Sequence, residues 1–224
     1  MKTDPFAIKK YPKWNLKRLT FTAKARLIEQ EARRNFQKYA LPEKLIANLP
    51  SAPDIDYSNT AVTPIQIQHL LQALSATEYL IDTVVVEVGS YRGVTTQVLA
   101  NATSRKVIAV DPYIGYGGSD QDYCYFQKSI AGLPNVIHER VSSGEAVRNW
   151  RHSRVSLVFI DALHDYVNTA FDIEAWSSLM VKGSILAMHD TDQYSFAGTR
   201  KAVFEACNQK KQFAHPNNLT LVSL

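Results

Sequence analysis

Val84 to Thr96 reads VVVEVGSYRGVTT. A run of valines broken only by Glu87 predicts a strand buried on both faces, because a strand with one wet face would alternate apolar and polar residues. Two glycines, Gly89 and Gly93, follow in one short turn, and helical spacing of apolar residues resumes after them. Such a turn, leading from a buried strand into a helix, is where doubly wound sheets hold their ligands.

Downstream the chain alternates as that opening requires. A helix carrying Ile65, Ile67, Leu70, Leu71 and Leu74 precedes the strand at 83–88, and a helix at 94–102 precedes a strand at 106–110. A polar loop and helix lead to a short strand around 136–138. Then come a helix near Ala146, a strand at 155–160, a helix at 170–179, a strand at 184–188 and a helix at 197–208. The end, QFAHPNNLTLVSL from Gln212, reads as a hairpin turning at 216–218. The expected class is α/β: a doubly wound, mostly parallel Rossmann-like sheet with a C-terminal antiparallel hairpin and an N-terminal helical appendage.

A chain of 224 residues with 46% hydrophobic content supports one sizeable core. Cys124 and Cys207 lack disulfide-framework or zinc spacing, which suits a reducing cytoplasm. The start, MKTDPFAIKKYPKW, has no apolar signal core, and no later run approaches the length of a membrane span, so a soluble, cytoplasmic protein without a membrane partner is expected.

Charge divides the chain. Residues 1–50 hold 12 Lys or Arg against 4 Asp or Glu, a charge of +8, and the remainder carries −4. Leu27, Ile28, Ala32 and Phe36 recur at helical spacing among Lys24, Arg26, Glu29, Glu31, Arg33 and Arg34, which describes an amphipathic helix. Two readings stand: a helix packed on the main domain with a solvated basic face, or a lid or docking face for an acidic substrate. The Pro-, Ser- and Asp-rich stretch LPSAPDIDYSNTAVTP marks a boundary, giving a basic appendage at 1–60 and a principal domain at 61–224.

The glycine turn can be tested against two ligands. A dinucleotide pyrophosphate wants G-x-G-x-x-G so that backbone amides and a helix start can approach the phosphates. This chain has G-x-x-x-G, and Glu87 just before it would repel a pyrophosphate. The ammonium and sulfonium groups of S-adenosylmethionine would instead be attracted. Gly89 then lets the ligand pass close to the backbone, and Thr95 or Thr96 is expected to cap the next helix near the ligand's carboxylate.

The second strand, VIAVDPY, ends in Asp111, 22 residues after Gly89, where an acid grips ribose hydroxyls. The alternative for Asp111 is a turn cap before Pro112. Tyr113 is placed to stack on an adenine. Two further segments, FIDALHDY and LAMHDTD, put Asp161 and His164, then His189, Asp190 and Asp192, just past the next two strands. Carboxyl ends of neighbouring strands share one crevice, so Asp161 and Asp190 can meet although 29 residues separate them.

Together these segments resemble class I S-adenosylmethionine-dependent methyltransferases, in particular the small catechol-type and macrolide-sugar-type O-methyltransferases. Their pattern is E-x-G-x-x-x-G, then V-D, then F-I-D-x-x-H-x-Y, then H-D, and the resemblance covers roughly residues 60–205. It implies that Glu87, Gly89 and Gly93, with Ser90 between the glycines, form the donor loop, that Asp111 meets the ribose, and that Ser142 and Ser143 border the adenine. It further implies that Asp161 and Asp190 hold a divalent ion, usually magnesium, with His164 as general base. The chain departs from the catechol-type pattern at Thr191, where an Asn supplies a third ligand; His189, otherwise read as structural, or Asp192 could substitute.

These roles are chemically coherent. The sulfonium methyl is already activated, so catalysis needs an aligned acceptor oxygen and a group to take its proton. A metal on hard carboxylates would lower the pKa of a sugar-like hydroxyl, and a histidine takes protons near neutral pH. Other readings remain: a helix-start bond for His164, strand-end capping for the two Asp, and packing or surface roles for His69, His138 and His152. The expected partner is a small hydroxylated molecule such as a sugar, phenol or secondary metabolite, with a homo-oligomer open. No nucleic acid is expected, since neither an Asn/Asp-Pro-Pro-aromatic motif nor a Pro-Cys dipeptide is present. An NAD-dependent oxidoreductase and a non-catalytic S-adenosylmethionine-binding protein are the alternatives.

Overall fold

The computed structural model describes residues 2–115, 118–208 and 213–224. In chain order the helices are α1 (Pro5–Lys9), α2 (Leu16–Arg34), α3 (Pro64–Ala76), α4 (Val94–Asn101), α5 (Asp120–Ser129), α6 (Ser143–Arg148), α7 (Tyr166–Ser177) and α8 (Ala197–Asn208). The strands are β1 (Val84–Val88), β2 (Val107–Val110), β3 (Val136–Glu139), β4 (Val155–Ile160), β5 (Met180–His189), β6 (Phe213–Ala214) and β7 (Leu219–Ser223). They form one sheet in the order β3-β2-β1-β4-β5-β7-β6, with β1 to β5 parallel and β7 antiparallel to both its neighbours. This is the Rossmann-like sheet and C-terminal hairpin expected from the sequence.

Every residue of β1, β2 and β4 is buried, because helices cover both faces. Val84, Val86 and Val88 face the core that holds Trp176, Met188 and Val203, whereas Val85 packs with Ile67, Leu70, Leu74 and Leu99. The period-two alternation of a strand therefore puts Glu87 on the second face, the side of α3 and α4. Strand order reverses direction at β1, with β2 to one side and β4 to the other, which opens a crevice beyond their carboxyl ends.

Local signals fix the element ends. Thr63 and Gln66 form a capping box at α3 with Pro64 in its first turn, and Asp165 caps α7 through the Asn168 N–H at 2.8 Å. The hairpin turn uses Asn217 and Asn218 at φ 48° and 62°, the left-handed pair of a tight two-residue turn. Gln212, the first residue of the expected hairpin, lies outside the described residues. Two boundaries move: β5 starts at Met180, four residues before the expected 184, and α7 starts at Tyr166 where 170 was expected. No helix among the described residues is long and apolar enough to cross a membrane.

The basic N-terminal segment packs on the sheet's helices. The Glu29 carboxylate accepts the Tyr166 N–H at 2.6 Å, Lys201 Nζ lies 2.6 Å from Glu31 Oε2, and Arg200 Nε donates to the Tyr39 carbonyl at 3.1 Å. The expected apolar stripe is corrected here. Ala32 is buried, but Leu27 is 64% exposed. Consecutive residues lie about 100° apart around a helix of 3.6 residues per turn, so Leu27 and Ile28 cannot share the centre of one face. The segment also reaches the crevice, where Phe6, Lys9 and Lys10 form part of the wall.

Candidate functional site

The strand ends of β1, β2, β4 and β5 surround one cavity of about 820 Å³. Glu87, Gly89, Ser90, Gly93, Asp111, Ser143, Asp161, His164 and Asp190 all line it. Tyr113 and Ser142 do not.

At the β1 end, Glu87 is buried, and its carboxylate accepts a hydrogen bond from the Thr96 hydroxyl. Burial, reinforced by the nearby Asp161 and Asp111 charges, pushes its carboxyl up to about 8. A cation arriving there would restore the ionised form. Thr95 and Thr96 do not cap α4 as expected: the capping residue is Gly93, at φ 78°, which offers no side chain. The first-turn amides of α4 are thus left for a ligand, at the end of the helix that attracts a carboxylate.

Asp111 accepts the Tyr91 N–H at 3.1 Å on one oxygen and the Tyr113 N–H at 2.9 Å on the other, and burial raises its carboxyl above the ordinary range. It caps its own turn and lines the cavity at once. Tyr113 is the correction. Its backbone is left-handed at φ 51°, its hydroxyl donates to the Tyr91 carbonyl at 2.6 Å, and its ring packs among Tyr123, Phe126 and His138. The ring is core, and Ile114 lines the cavity in its place.

Ser142 caps α6 in a box with Glu145, which turns its hydroxyl from the cavity. Ser143 accepts the Trp176 Nε1–H at 2.9 Å and donates to Asp172. Asp172 lines the cavity, and burial pushes its carboxyl up to about 7. It lies inside α7 in no recognisable motif, so the sequence offered only a lone acid among the buried residues of a helix.

The β4 and β5 ends bring four titratable side chains together. Asp161 Oδ1 lies 3.1 Å from both His164 Nε2 and His189 Nδ1, and Asp190 Oδ2 lies 3.3 Å and 3.6 Å from the same two nitrogens. Asp190 sits at φ 55°, and its other oxygen accepts from Gln193 Nε2 at 3.0 Å and Asn218 Nδ2 at 2.9 Å. Those amides aim Oδ2 at the histidines. Burial would raise the Asp161 carboxyl, but the His189 and His164 rings outweigh it and hold it well below the ordinary range. Burial likewise opposes charge on His189, yet Asp161 and Asp190 raise its imidazole to about 10. His164 and Asp161 are the more accessible members, their side chains 18% and 17% exposed, and the His164 ring lies 4.5 Å from that of Phe196.

One donor atom from each of Asp161, His164, His189 and Asp190 lies within 4.8 Å of the others. Two carboxylate oxygens beside imidazole nitrogens fit a divalent ion. Thr191 and Asp192 stand outside this set: the Thr220 hydroxyl donates to Thr191 Oγ1 at 2.9 Å, and Asp192 pairs with Arg200. Of the residues that orient the cluster, Gln66 lies far from it in sequence, Asn218 sits in the hairpin turn and Gln193 follows Asp190 by three positions, and no local pattern flags them.

Residues 86–191 match a family model described as a methyltransferase domain. No curated protein sequence matches the chain. Among solved structures it resembles an O-methyltransferase from Bacillus cereus in complex with SAH, at 17% identity and TM-score 0.56 over 88% of this chain and 91% of that one. It also resembles the O-methyltransferase TomG from Streptomyces achromogenes in complex with SAM, at 12% identity and TM-score 0.56 over 88% and 89%. The O-methyltransferase NovP aligns at 12% identity and TM-score 0.59 over 90% and 98%. At such identities the structural likeness shows the fold, and the family match supplies the enzyme class. It sets aside the NAD-dependent oxidoreductase weighed above.

Proposed function

We propose that this chain, which carries a class I S-adenosylmethionine-dependent methyltransferase domain, transfers the methyl group to a hydroxyl of a small molecule such as a sugar, phenol or secondary metabolite. The observation that supports this most directly is the shared cavity: the donor-loop residues and the Asp161–His164–Asp190 group line one space. Glu87 would meet a cationic centre of the donor, the α4 amino terminus its carboxylate, and Asp111 its ribose hydroxyls. Gly89 and Ser90 form the loop floor, and Ser143 with Asp172 borders the far end.

His164 is the general base. Its Nε2–H donates to Asp161 at 3.1 Å, and among the described residues Nδ1 bonds to nothing, leaving a lone pair for the acceptor's proton. Asp161 steadies the imidazolium that results, as a carboxylate partner does for a catalytic histidine. Asp161 and Asp190 would hold a divalent ion, whose contribution is to make the acceptor hydroxyl a stronger acid. Phe196 and Leu163 line the same cavity, and the Phe196 ring lies 4.5 Å from that of His164.

The test is calorimetric titration with S-adenosylmethionine and NAD, followed by a screen of hydroxylated acceptors. Donor binding with methyl transfer to an oxygen supports the proposal. Tighter binding of NAD overturns it, and donor binding without turnover on any acceptor class favours a binding protein.

A further inference from the structure

The Gln66–His189 pair carries an inference that rests on the methyltransferase reading of the cavity but concerns which ion the chain selects. Gln66 is buried, and its amide is locked by the backbone at both ends: Oε1 accepts the Thr63 N–H at 2.8 Å, and Nε2 donates to the Asn217 carbonyl at 2.8 Å. Flipping the amide would set donor against donor and acceptor against acceptor. Oε1 is therefore fixed as an acceptor. It lies 3.1 Å from Nε2 of the equally buried His189, so that nitrogen must carry a hydrogen. In the neutral ring Nδ1 then presents a lone pair, aimed at Asp161 Oδ1 and Asp190 Oδ2, which are themselves lone-pair donors. In the free protein a proton on Nδ1 can answer the two carboxylates, and a divalent ion among the three atoms would take that proton's place.

The geometry points to His189 Nδ1 as a third metal ligand beside Asp161 and Asp190, held in that role by Gln66, in a site that selects a divalent transition ion over magnesium. Thr191 is engaged elsewhere, its hydroxyl accepting from Thr220 at 2.9 Å, whereas the His189 imidazole faces both carboxylates. A nitrogen ligand favours first-row transition ions, whereas all-oxygen sets suit magnesium. Ligands about 2.0 to 2.2 Å from one ion lie roughly 2.8 to 3.1 Å apart when cis in an octahedron and roughly 3.3 to 3.6 Å apart in a tetrahedron, and Nδ1 lies 3.1 Å and 3.6 Å from the two carboxylates, within the span of those geometries. Gln66 acts as the outer partner that fixes a ligating histidine's tautomer and orientation. His164, at the cavity wall, stays free to serve as base.

The probe is Mn²⁺ on the full chain, read by pulsed electron paramagnetic resonance for coupling to ¹⁴N and by competition titration against Mg²⁺. The expected result is nitrogen coupling in the wild type, kept in His164→Ala and lost in His189→Ala, with the Mn²⁺ over Mg²⁺ preference falling at least about tenfold in the latter. Gln66→Leu should weaken Mn²⁺ binding by about 10 to 100-fold, the usual scale for a lost outer partner, and Gln66→Glu, which keeps an acceptor, should restore it. If His189→Ala does not fold, the wild-type spectrum and the Gln66 pair decide. Absence of bound Mn²⁺, absence of nitrogen coupling, or coupling that survives in His189→Ala and vanishes in His164→Ala overturns the inference. Nitrogen-coupled Mn²⁺ in a protein that binds no S-adenosylmethionine would sustain it while removing the methyltransfer reading; undiminished transfer in a chain that binds no Mn²⁺ would do the reverse.

Discussion

The carbonyl oxygen of Asp161 occupies the space beside Gly89 so closely that a Cβ on that glycine would come within 2.0 Å of it. Gly89 also sits at φ 92°, a conformation side chains resist. The glycine thus lets the β1 and β4 ends close together and sets Asp161 against the donor loop. Gly89→Ala should lose at least about 2 kcal/mol of stability, since strain and a backbone clash act together and neither can relax alone. Urea unfolding measures this, and a midpoint equal to that of the wild type would mean the two strand ends can part freely.

Glu87 makes stability and donor binding oppose each other. Its folded-state carboxyl lies near 8 against an ordinary 4.5. Between those values the unfolded chain has released the proton and the folded chain still holds it, so stability falls as pH rises through this window and stays low above it. Glu87→Gln should flatten that part of the pH dependence and raise the melting temperature of the free protein at pH 8 to 9. The same change should weaken S-adenosylmethionine binding by about 1.5 to 3 kcal/mol, because a charge-assisted contact is lost. A variant with both the wild-type pH profile and wild-type affinity would show that Glu87 is neither strained nor facing the donor.

The strand and helix order was legible because each signal was local: valine runs for buried strands, glycines for the turn, Asn217 and Asn218 for the hairpin. Asp161, His164 and Asp190 could be paired from their places after successive strands, since the topology brings those ends together. Tyr113 could not, because its left-handed backbone and aromatic neighbours from α5 and β3 decide where the ring goes. Gln66 and Asp172 were hidden for a related reason. Each acts through partners more than 25 positions away, His189 for one and Ser143 for the other, and spacing along a single helix does not encode such pairs.

Asp111 separates a structural cap from a ligand contact. Both its oxygens accept backbone N–H groups, so Asp111→Asn keeps one of those bonds and Asp111→Ala loses both. Asp111→Ala should weaken donor binding by about 1 to 3 kcal/mol, the scale of a charge-assisted bond to a ribose hydroxyl. Measuring the affinity for 2′-deoxy and ribose forms of the donor isolates that bond from any general loosening of the turn. Equal weakening for both forms would leave Asp111 as a cap alone.

The acid and base roles at the β4 and β5 ends should fail in different ways. Removing either carboxylate, as Asp161→Ala or Asp190→Ala, should abolish divalent-ion-dependent turnover while donor binding largely survives, because neither side chain is placed to carry the donor. Asp190→Asn is the gentler variant for the fold, since Gln193 and Asn218 can still hold its side-chain oxygen in place, while its amide nitrogen replaces the oxygen that would meet the ion. Removing His164 should leave ion binding intact and lower turnover by roughly 100 to 10,000-fold, the scale of a lost general base, with part of the loss recovered at high pH as the acceptor ionises unaided. Acceptors with more acidic hydroxyls should lose less, so a phenol ought to tolerate His164→Ala better than a sugar. Rates measured for both acceptor types across pH, with and without chelator, separate the two roles. Full activity in excess chelator would remove the ion from the reaction, and full activity of His164→Ala on a sugar-type hydroxyl would remove the base.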